Sequence, residues 1–251
     1  MKITNKYDLP ESLVRAIQND PYNSGDCDIS TTRLISPPQV VALQKRHGEK
    51  SEEDVSEGIW RLIGQSVHVL VERASVGIDV ISEKRYSQEV EGWKLSGQVD
   101  LIENGNLVDW KVTSVWTYIY GSRMLEWEQQ ANVNRWLAEK NGVHIQTAEN
   151  YLILRDWNKT DSMKKPGYPP VQIVRVTLPI WSMEIAEDYI RDRIRLHQGA
   201  QKASDADLSH KFACGIDDRW YNAKTKKFIR CDSYCSVSDF CHQNKREVTV
   251  I

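Results

Sequence analysis

The stretch Trp93–Ser114, WKLSGQVDLIENGNLVDWKVTS, constrains this chain more than any other. Two apolar, strand-like runs flank Asn104-Gly105. An Asn-Gly pair in that position is a strong hairpin signal, because both residues accept the positive φ of a tight type I′ turn. A third run, GIDVISEKRYSQEV, precedes them and meets WKLSGQVDLIE at Glu91-Gly92, a second turn signal. Three consecutive strands are therefore expected. Two aspartates interrupt this apolar setting, Asp100 near the end of one strand and Asp109 inside the next. A carboxylate in an apolar run is costly without a partner. Lys111, two residues past Asp109, leaves the strand on the same face, and Trp110 points to the opposite face, toward the core.

The flanking segments read as helices. Residues 9–20 form a short amphipathic helix followed by a loop, NDPYNSGDCDIS. Pro37-Pro38 opens a second helix that Gly48 closes. In SEEDVSEGIWRLIGQSVHVLVERA, the residues Val55, Ile59, Ile63, Val67 and Leu70-Val71 recur at spacings of three and four. That periodicity predicts one helix with an apolar face, whose N-terminus carries the acids of Ser51–Asp54. MLEWEQQANVNRWLAEKNG is helical and ends on an Asn-Gly cap. TAENYLILRDW and VQIVRVTLP are two more strands, joined by the polar loop NKTDSMKKPGYPP. SMEIAEDYIRDRIRLHQGAQ is a long charged helix capped by Ser182. This order predicts an α/β (α+β) fold with a central mixed sheet flanked by helices. Residues 1–202 are expected to form that core, and 203–251 a cysteine-bearing appendage.

The 251 residues suffice for one large core, and a composition of 40% hydrophobic and 27% charged residues is that of an ordinary globular protein. A formal net charge of −2 excludes a basic nucleic-acid coat but not a local basic groove. No apolar run is long enough to span a membrane, and MKITNKYDLPESLV lacks the apolar core of a signal peptide. The expected location is intracellular, in the cytoplasm.

A hairpin brings Asp100 and Asp109 side by side, within reach of one cation. Mg²⁺ takes hard oxygen ligands and commonly uses one or two carboxylates together with water and phosphate oxygens. A lysine beside such a site can stabilise charge developing on a phosphate. Taken alone, D-x-K is also the pattern of an ordinary surface ion pair. His68 alone reads as a hydrogen-bonded helix-face histidine, Gln130 as an exposed glutamine, and Glu83 as a solvated charge.

The last part of the chain spaces Cys214, Cys231, Cys235 and Cys241 as C-x16-C-x3-C-x5-C. In an intracellular protein such clustering favours a metal site over disulfides. Four thiolates there could hold Zn²⁺ or a [4Fe–4S] cluster.

Taken together, GQSVH, SGQVDLI, LVDWKVTS and EQQANVNRWL resemble the PD-(D/E)XK nuclease superfamily, in its RecB-like branch of phage exonucleases and CRISPR-associated nucleases. The resemblance spans residues 55 to 140, and its four motifs stand in the family's order. It implies a restriction-endonuclease-like core and a metal-dependent DNA nuclease, chiefly an exonuclease, using Mg²⁺ or Mn²⁺. The setting it implies is prokaryotic or phage recombination, repair or processing, with DNA, recombination proteins or single-strand-binding proteins as partners. His68, Asp100, Asp109 and the Trp110 backbone carbonyl would be metal ligands. Lys111 would activate the attacking water, Gln130 would contact Lys111 or DNA, and Glu72, one turn after His68, would orient the site. The tyrosine of the family's Q-x-x-x-Y is Asn134 here, a departure that bears on DNA positioning and not on the metal ligands. The branch also carries a cysteine trio that, with one earlier cysteine, holds a [4Fe–4S] cluster. Cys231, Cys235 and Cys241 resemble that trio, although their first gap is three residues rather than the usual two. Ser36 stands where the earlier cysteine would be, leaving Cys27 or Cys214 as the fourth ligand and zinc as an alternative to iron and sulfur.

DNA-contact candidates are Arg33, Lys45, Arg46, Lys159, Lys164, Lys165, Lys224, Lys226 and Lys227, the last three in the basic run NAKTKKFIR. Of the nine tryptophans some could stack on bases, while most, such as Trp60 and Trp136 in amphipathic helices, read as core residues. Two other classes compete with an enzyme: a catalytically silent nuclease fold that binds DNA or protein, and a structural zinc protein with an accidental D-x-K. Metal-dependent cleavage separates the enzyme from both.

Overall fold

The computed structural model describes residues 2–19 and 25–248, with the backbone alone for 246–248. Part of the loop expected before Ser30, residues 20–24, lies outside the described residues, as do 249–251 of the tail. In chain order the elements begin with β1 (Lys2–Thr4), α1 (Glu11–Gln18), β2 (Ile29–Ser30), α2 (Thr31–Ile35), α3 (Pro38–His47), β3 (Glu52–Asp54) and α4 (Ile59–Ala74). The central strands follow: β4 (Ile81–Val90), β5 (Trp93–Glu103) and β6 (Asn106–Thr113). Next come α5 (Val115–Tyr120), α6 (Met124–Lys140), β7 (Thr147–Leu154), α7 (Lys159–Lys164), β8 (Ile173–Leu178) and α8 (Met183–Lys202). The tail holds α9 (Asp205–Lys211), α10 (Ile216–Arg219), a hairpin of β9 (Tyr221–Asn222) and β10 (Lys227–Phe228), α11 (Ile229–Ser233) and α12 (His242–Val248).

The main sheet has six strands, in the order β2-β5-β6-β7-β8 with β4 paired to β5. It is mixed: β2–β5 and β6–β7 are parallel and the remaining pairs antiparallel. Both expected turns are tight two-residue loops with positive φ, at Glu91-Gly92 and Asn104-Gly105. These turns fix the register of the three central strands.

Helix α6 lies against this sheet and is buried nearly all round, with Trp127, Val133, Trp136, Leu137 and Ala138 at its core. Its asparagines are fully engaged. Asn132 donates to the Glu128 and Pro179 carbonyls and accepts from Trp181 N. Asn134 accepts from Thr31 Oγ1 at 2.8 Å and donates to the Gln98 carbonyl at 3.2 Å. Helix α8, capped by Ser182 as expected, buries Ile190 and Ile194, and its Arg193 and His197 bond the Leu34 carbonyl that ends α2.

Two readings of the α4 region are corrected. Residues 52–54 are not a helix start but a short strand, parallel to β1, and Asp54 caps the single turn that leads into α4. The Asp54 carboxylate also takes hydrogen bonds from Thr4 and Lys6, which favours the extended arm over a helix. The apolar stripe of α4 does not enter the core either: none of its residues is buried, and Trp60 is 49% exposed with Arg155 stacked over it at 4.3 Å. On the inner side, α4 meets the small apolar cluster of Val14, Ile17 and Val55 through Leu62.

The tail shares an apolar cluster with α3 and the end of α8, built from Val40, Leu43, Ala200, Leu208, Val237 and Cys241. Arg46, a DNA-contact candidate, is part of this junction. It bonds Asp205 and the carbonyls of Ala200, Gln201 and Ala203, and so serves the fold.

Candidate metal centre

The register explains why acids gather here. The β5–β6 ladder runs Glu103↔Asn106, Ile102↔Leu107, Leu101↔Val108 and then stops. The next opposed residues are Asp100 and Asp109. At that point the Trp110 N–H turns to the Asp100 side chain, donating to Oδ2 at 2.9 Å. In a strand the N–H and C=O of one residue leave by the same edge, so the Trp110 carbonyl also faces this fork. The indole itself packs on Tyr151 of β7, with ring centroids 5.3 Å apart.

The β4–β5 register places Glu83 opposite Asp100, between the pairs Ser82↔Leu101 and Lys84↔Val99. Glu83, Asp100 and Asp109 thus form one transverse row across three strands, on a shared face. Glu83 has φ 48°, a left-handed conformation unusual for a glutamate inside a strand and the kind of backbone strain that gathers at functional sites.

His68 reaches the row from α4. Its Nδ1 lies 3.3 Å from Glu83 Oε1 and 3.4 Å from Asp100 Oδ2. Among the described residues, His68, Glu83 and Asp100 are the metal-binding side chains whose donor atoms converge to within 4.8 Å. Gln98 holds the second oxygen of Glu83. Reading Glu83 as an ordinary solvated charge is therefore corrected. Glu72 is exposed and outside this group, so the role expected for it is not supported.

On the other side of the row, Lys111 Nζ lies 2.6 Å from Asp109 Oδ2 and donates to Gln130 Oε1 at 3.1 Å. Gln130 Nε2 faces Asp109 Oδ1 at 3.4 Å. Helix α6 thus sets the Asp109–Lys111 pair through Gln130. Asn134, one turn further along α6, is buried and bonded to Thr31 and the Gln98 carbonyl.

The electrostatics suit a cation. Burial, together with the negative charge of Asp109, pushes the Asp100 carboxyl up to about 7. His68 is shifted up, chiefly by its hydrogen bond to Glu83, against the opposing effect of burial. For Glu83, burial acts upward but is outweighed by the bonds from His68 and Gln98, which hold it below its ordinary value. Asp109 Oδ2 is buried and faces the Lys111 ammonium. Crowded carboxylates of this kind, with the His68 imidazole converging on two of them, fit a divalent ion with oxygen and imidazole ligands.

A resemblance to solved structures joins the geometry here. The crystal structure of SSO0001 is similar over 92% of this chain and 95% of that one, with a TM-score of 0.58 and 16% identity. That likeness shows a shared fold. An alkaline exonuclease from Laribacter hongkongensis aligns over 68% of this chain and 89% of its own, with a TM-score of 0.39 and 10% identity, too low to bear on this chain's chemistry. No family model and no curated protein matches the chain.

The tail gathers four cysteines. Cys214, Cys235 and Cys241 belong to one apolar cluster, and Cys231 lies within electrostatic reach of Cys235. Cys27 lies elsewhere, on a cavity of about 390 Å³ with Trp93, Arg33 and Lys45. Burial raises the Cys214 thiol to about 12 and shifts Cys235 upward. Gln39 Nε2 nevertheless points at Cys241 Sγ (3.0 Å) and Cys214 Sγ (4.0 Å), and Arg219 Nε at Cys231 Sγ (3.4 Å). Donors aimed at sulfur suit thiolates, the form that binds metal or cluster.

Proposed function

We propose that this chain is a divalent-metal-dependent nuclease that hydrolyses phosphodiester bonds in DNA, acting as an exonuclease in recombination, repair or processing. The observation that carries the reading is the row Glu83–Asp100–Asp109, with His68 at one end and Lys111–Gln130 at the other. His68, Glu83, Asp100, Asp109 and the Trp110 carbonyl would hold Mg²⁺ or Mn²⁺. The bound ion supplies a Lewis acid and a more acidic water. Lys111 places its ammonium beside the carboxylate row, where it orients the attacking water and offsets negative charge growing on the phosphate. Gln130 fixes the direction of that ammonium. The fork in the β5–β6 ladder, where Trp110 N turns to Asp100, is where the Trp110 carbonyl would meet the ion.

In the tail we propose Cys214, Cys231, Cys235 and Cys241 as ligands of a [4Fe–4S] cluster or of Zn²⁺. Residues 1–202 would then be the nuclease core and 203–251 a cysteine-held appendage, sealed to it through α3 and α8.

The test is cleavage of end-labelled single- and double-stranded DNA by anaerobically purified protein, with Mg²⁺, Mn²⁺ or EDTA. Metal-dependent degradation should disappear in Asp109→Ala and Lys111→Ala. A folded wild type with its cysteine site filled and no cleavage would sink the enzyme and leave a DNA- or protein-binding module.

A further inference from the structure

We propose that α5, with the segment following β7, is a stacking platform for unpaired bases of the substrate strand next to the metal centre. The identity of the strand as substrate rests on the nuclease reading; the platform itself rests on the following geometry. Trp116 and Tyr120 stand one turn apart on α5 and are 43% and 74% exposed. Their rings stack on each other, with centroids 5.9 Å apart and planes 21° apart. The helix that presents them is tightly held: Asp156 accepts from Ser114 Oγ and Val115 N, both at 2.7 Å, and Ser114 Oγ accepts from Trp116 N. Beneath them, Tyr168 meets the Trp116 ring edge-on at 6.4 Å, and its hydroxyl accepts from Asn158 N. These are rigid aromatic faces held open to water.

Cations surround them. Lys165 lies 5.8 Å from the Trp116 ring centre, and Arg155 lies 4.3 Å from that of Trp60, another exposed indole. Lys159 and Lys164 stand exposed on α7. Of the nearby acids, Asp156 is spent on capping α5 and Asp161 is paired with Lys165 at 3.0 Å. The surface therefore offers aromatic faces and surplus positive charge together. A ligand that answers both is a chain of rings on a polyanionic backbone. In a duplex the base faces cover one another, so an unpaired strand is the form that can stack here.

The platform also points at the metal centre. Arg155 N donates to the Thr113 carbonyl at 3.0 Å, at the end of the strand that carries Asp109 and Lys111. From Lys111 to Thr113 is about 7 Å of strand. From Trp60 to His68 is about 12 Å along α4. One strand can thus lay bases on Trp116 and Tyr120 while its phosphate sits at the carboxylate row.

The test compares wild type, Trp116→Ala/Tyr120→Ala and Trp116→Phe/Tyr120→Phe. Anisotropy of fluorescein-labelled oligo-dT, an abasic strand of equal length and a blunt duplex is read in EDTA, alongside cleavage in Mn²⁺. The alanine pair should weaken oligo-dT binding roughly tenfold or more, since one lost stack is worth about that much. Abasic and duplex binding should hardly change, KM should rise more than kcat falls, and the phenylalanine pair should restore most of the affinity. Equal losses on all three DNAs, no loss at all, or a change of oligomeric state in the alanine pair would overturn the platform. Wild type that cleaves, with oligo-dT binding unmoved in the alanine pair, rejects the platform and keeps the nuclease. Wild type that binds oligo-dT through these rings without cleaving keeps the platform and rejects the nuclease.

Discussion

Replacing Gly97 with alanine tests how closely the sheet and α6 must approach for the site to form. Gly97 lies in β5, three residues before Asp100. A Cβ there would meet Asn134 Oδ1 at 2.3 Å, Thr31 Oγ1 at 2.4 Å and Leu137 Cδ1 at 2.9 Å. All three neighbours are buried, so they have little room to yield. Overpacking of this kind costs about 1–3 kcal/mol. Forcing apart the 2.8 Å Thr31–Asn134 bond adds about 0.5–1.5 kcal/mol. The sum is about 2–4 kcal/mol, on the order of 4–16 °C in Tm for a domain of this size. Urea unfolding followed by tryptophan fluorescence would measure it, and a cycle with Asn134→Ala would locate it. If the clash is with Asn134, the double variant should lose less than the two single losses together. Lifting α6 should also move Gln130 from Lys111 and lower activity in the folded variant. A Gly97→Ala protein within about 0.5 kcal/mol of wild type, or strict additivity with Asn134→Ala, would refute the argument.

Glu83→Gln should weaken Mn²⁺ binding at least tenfold by calorimetry while Glu72→Gln leaves it unchanged; equal effects would remove Glu83 from the ligand set. Cys214→Ser should abolish the metal or iron–sulfur content of the purified protein, whereas Cys27→Ser should keep it, as read by elemental analysis and visible absorbance. His197, 1% exposed, has its pKa depressed to about 4 by burial. The unfolded imidazole takes its proton near 6.5, so between those values the unfolded state binds more protons and stability falls as pH drops. The full loss, reached below pH 4, is about 3 kcal/mol from this residue. Urea titrations from pH 7 to 4 should show a decline that His197→Gln flattens.

The two Asn-Gly and Glu-Gly turns made the central strands legible, because turn chemistry fixes a tight hairpin without help from the rest of the chain. The same turns contained more than the motif did. Counting back from Glu91-Gly92 sets Glu83 opposite Asp100, so a register count could have found the third carboxylate. A spacing argument along one strand could not. Asp109, Lys111 and Gln130 were legible because strand alternation and the helix after it put them together. Glu72 misled because α4 turns that residue to solvent while His68 faces the sheet, a matter of docking angle that periodicity does not encode. The stripe on α4 misled in the same way: an apolar face shows that a helix can bury itself, not that anything covers it. Residues 52–54 carry acids suited to a helix start, but the partner that made them a strand is β1, some fifty positions earlier in the chain. The tail's assembly was hidden for a similar reason, since its apolar cluster is completed by α3 and α8.

Helix α4 has a consequence for order as well as for chemistry. It buries no residue, and its meeting with the sheet at the site is the polar one of His68 with Glu83 and Asp100. Past Leu62, which touches the small apolar cluster of Val14, Ile17 and Val55, the helix is joined through charges rather than covered surface, so it opens with little exposure of apolar area and belongs to the readily opened part of a protein. Filling the carboxylate row would tie it down. In amide exchange, the protons of α4 should slow on adding Mn²⁺, while those of α6, sealed on all sides, should exchange at an unchanged rate. The wall of the site would then be ordered by the same cation that we propose it holds.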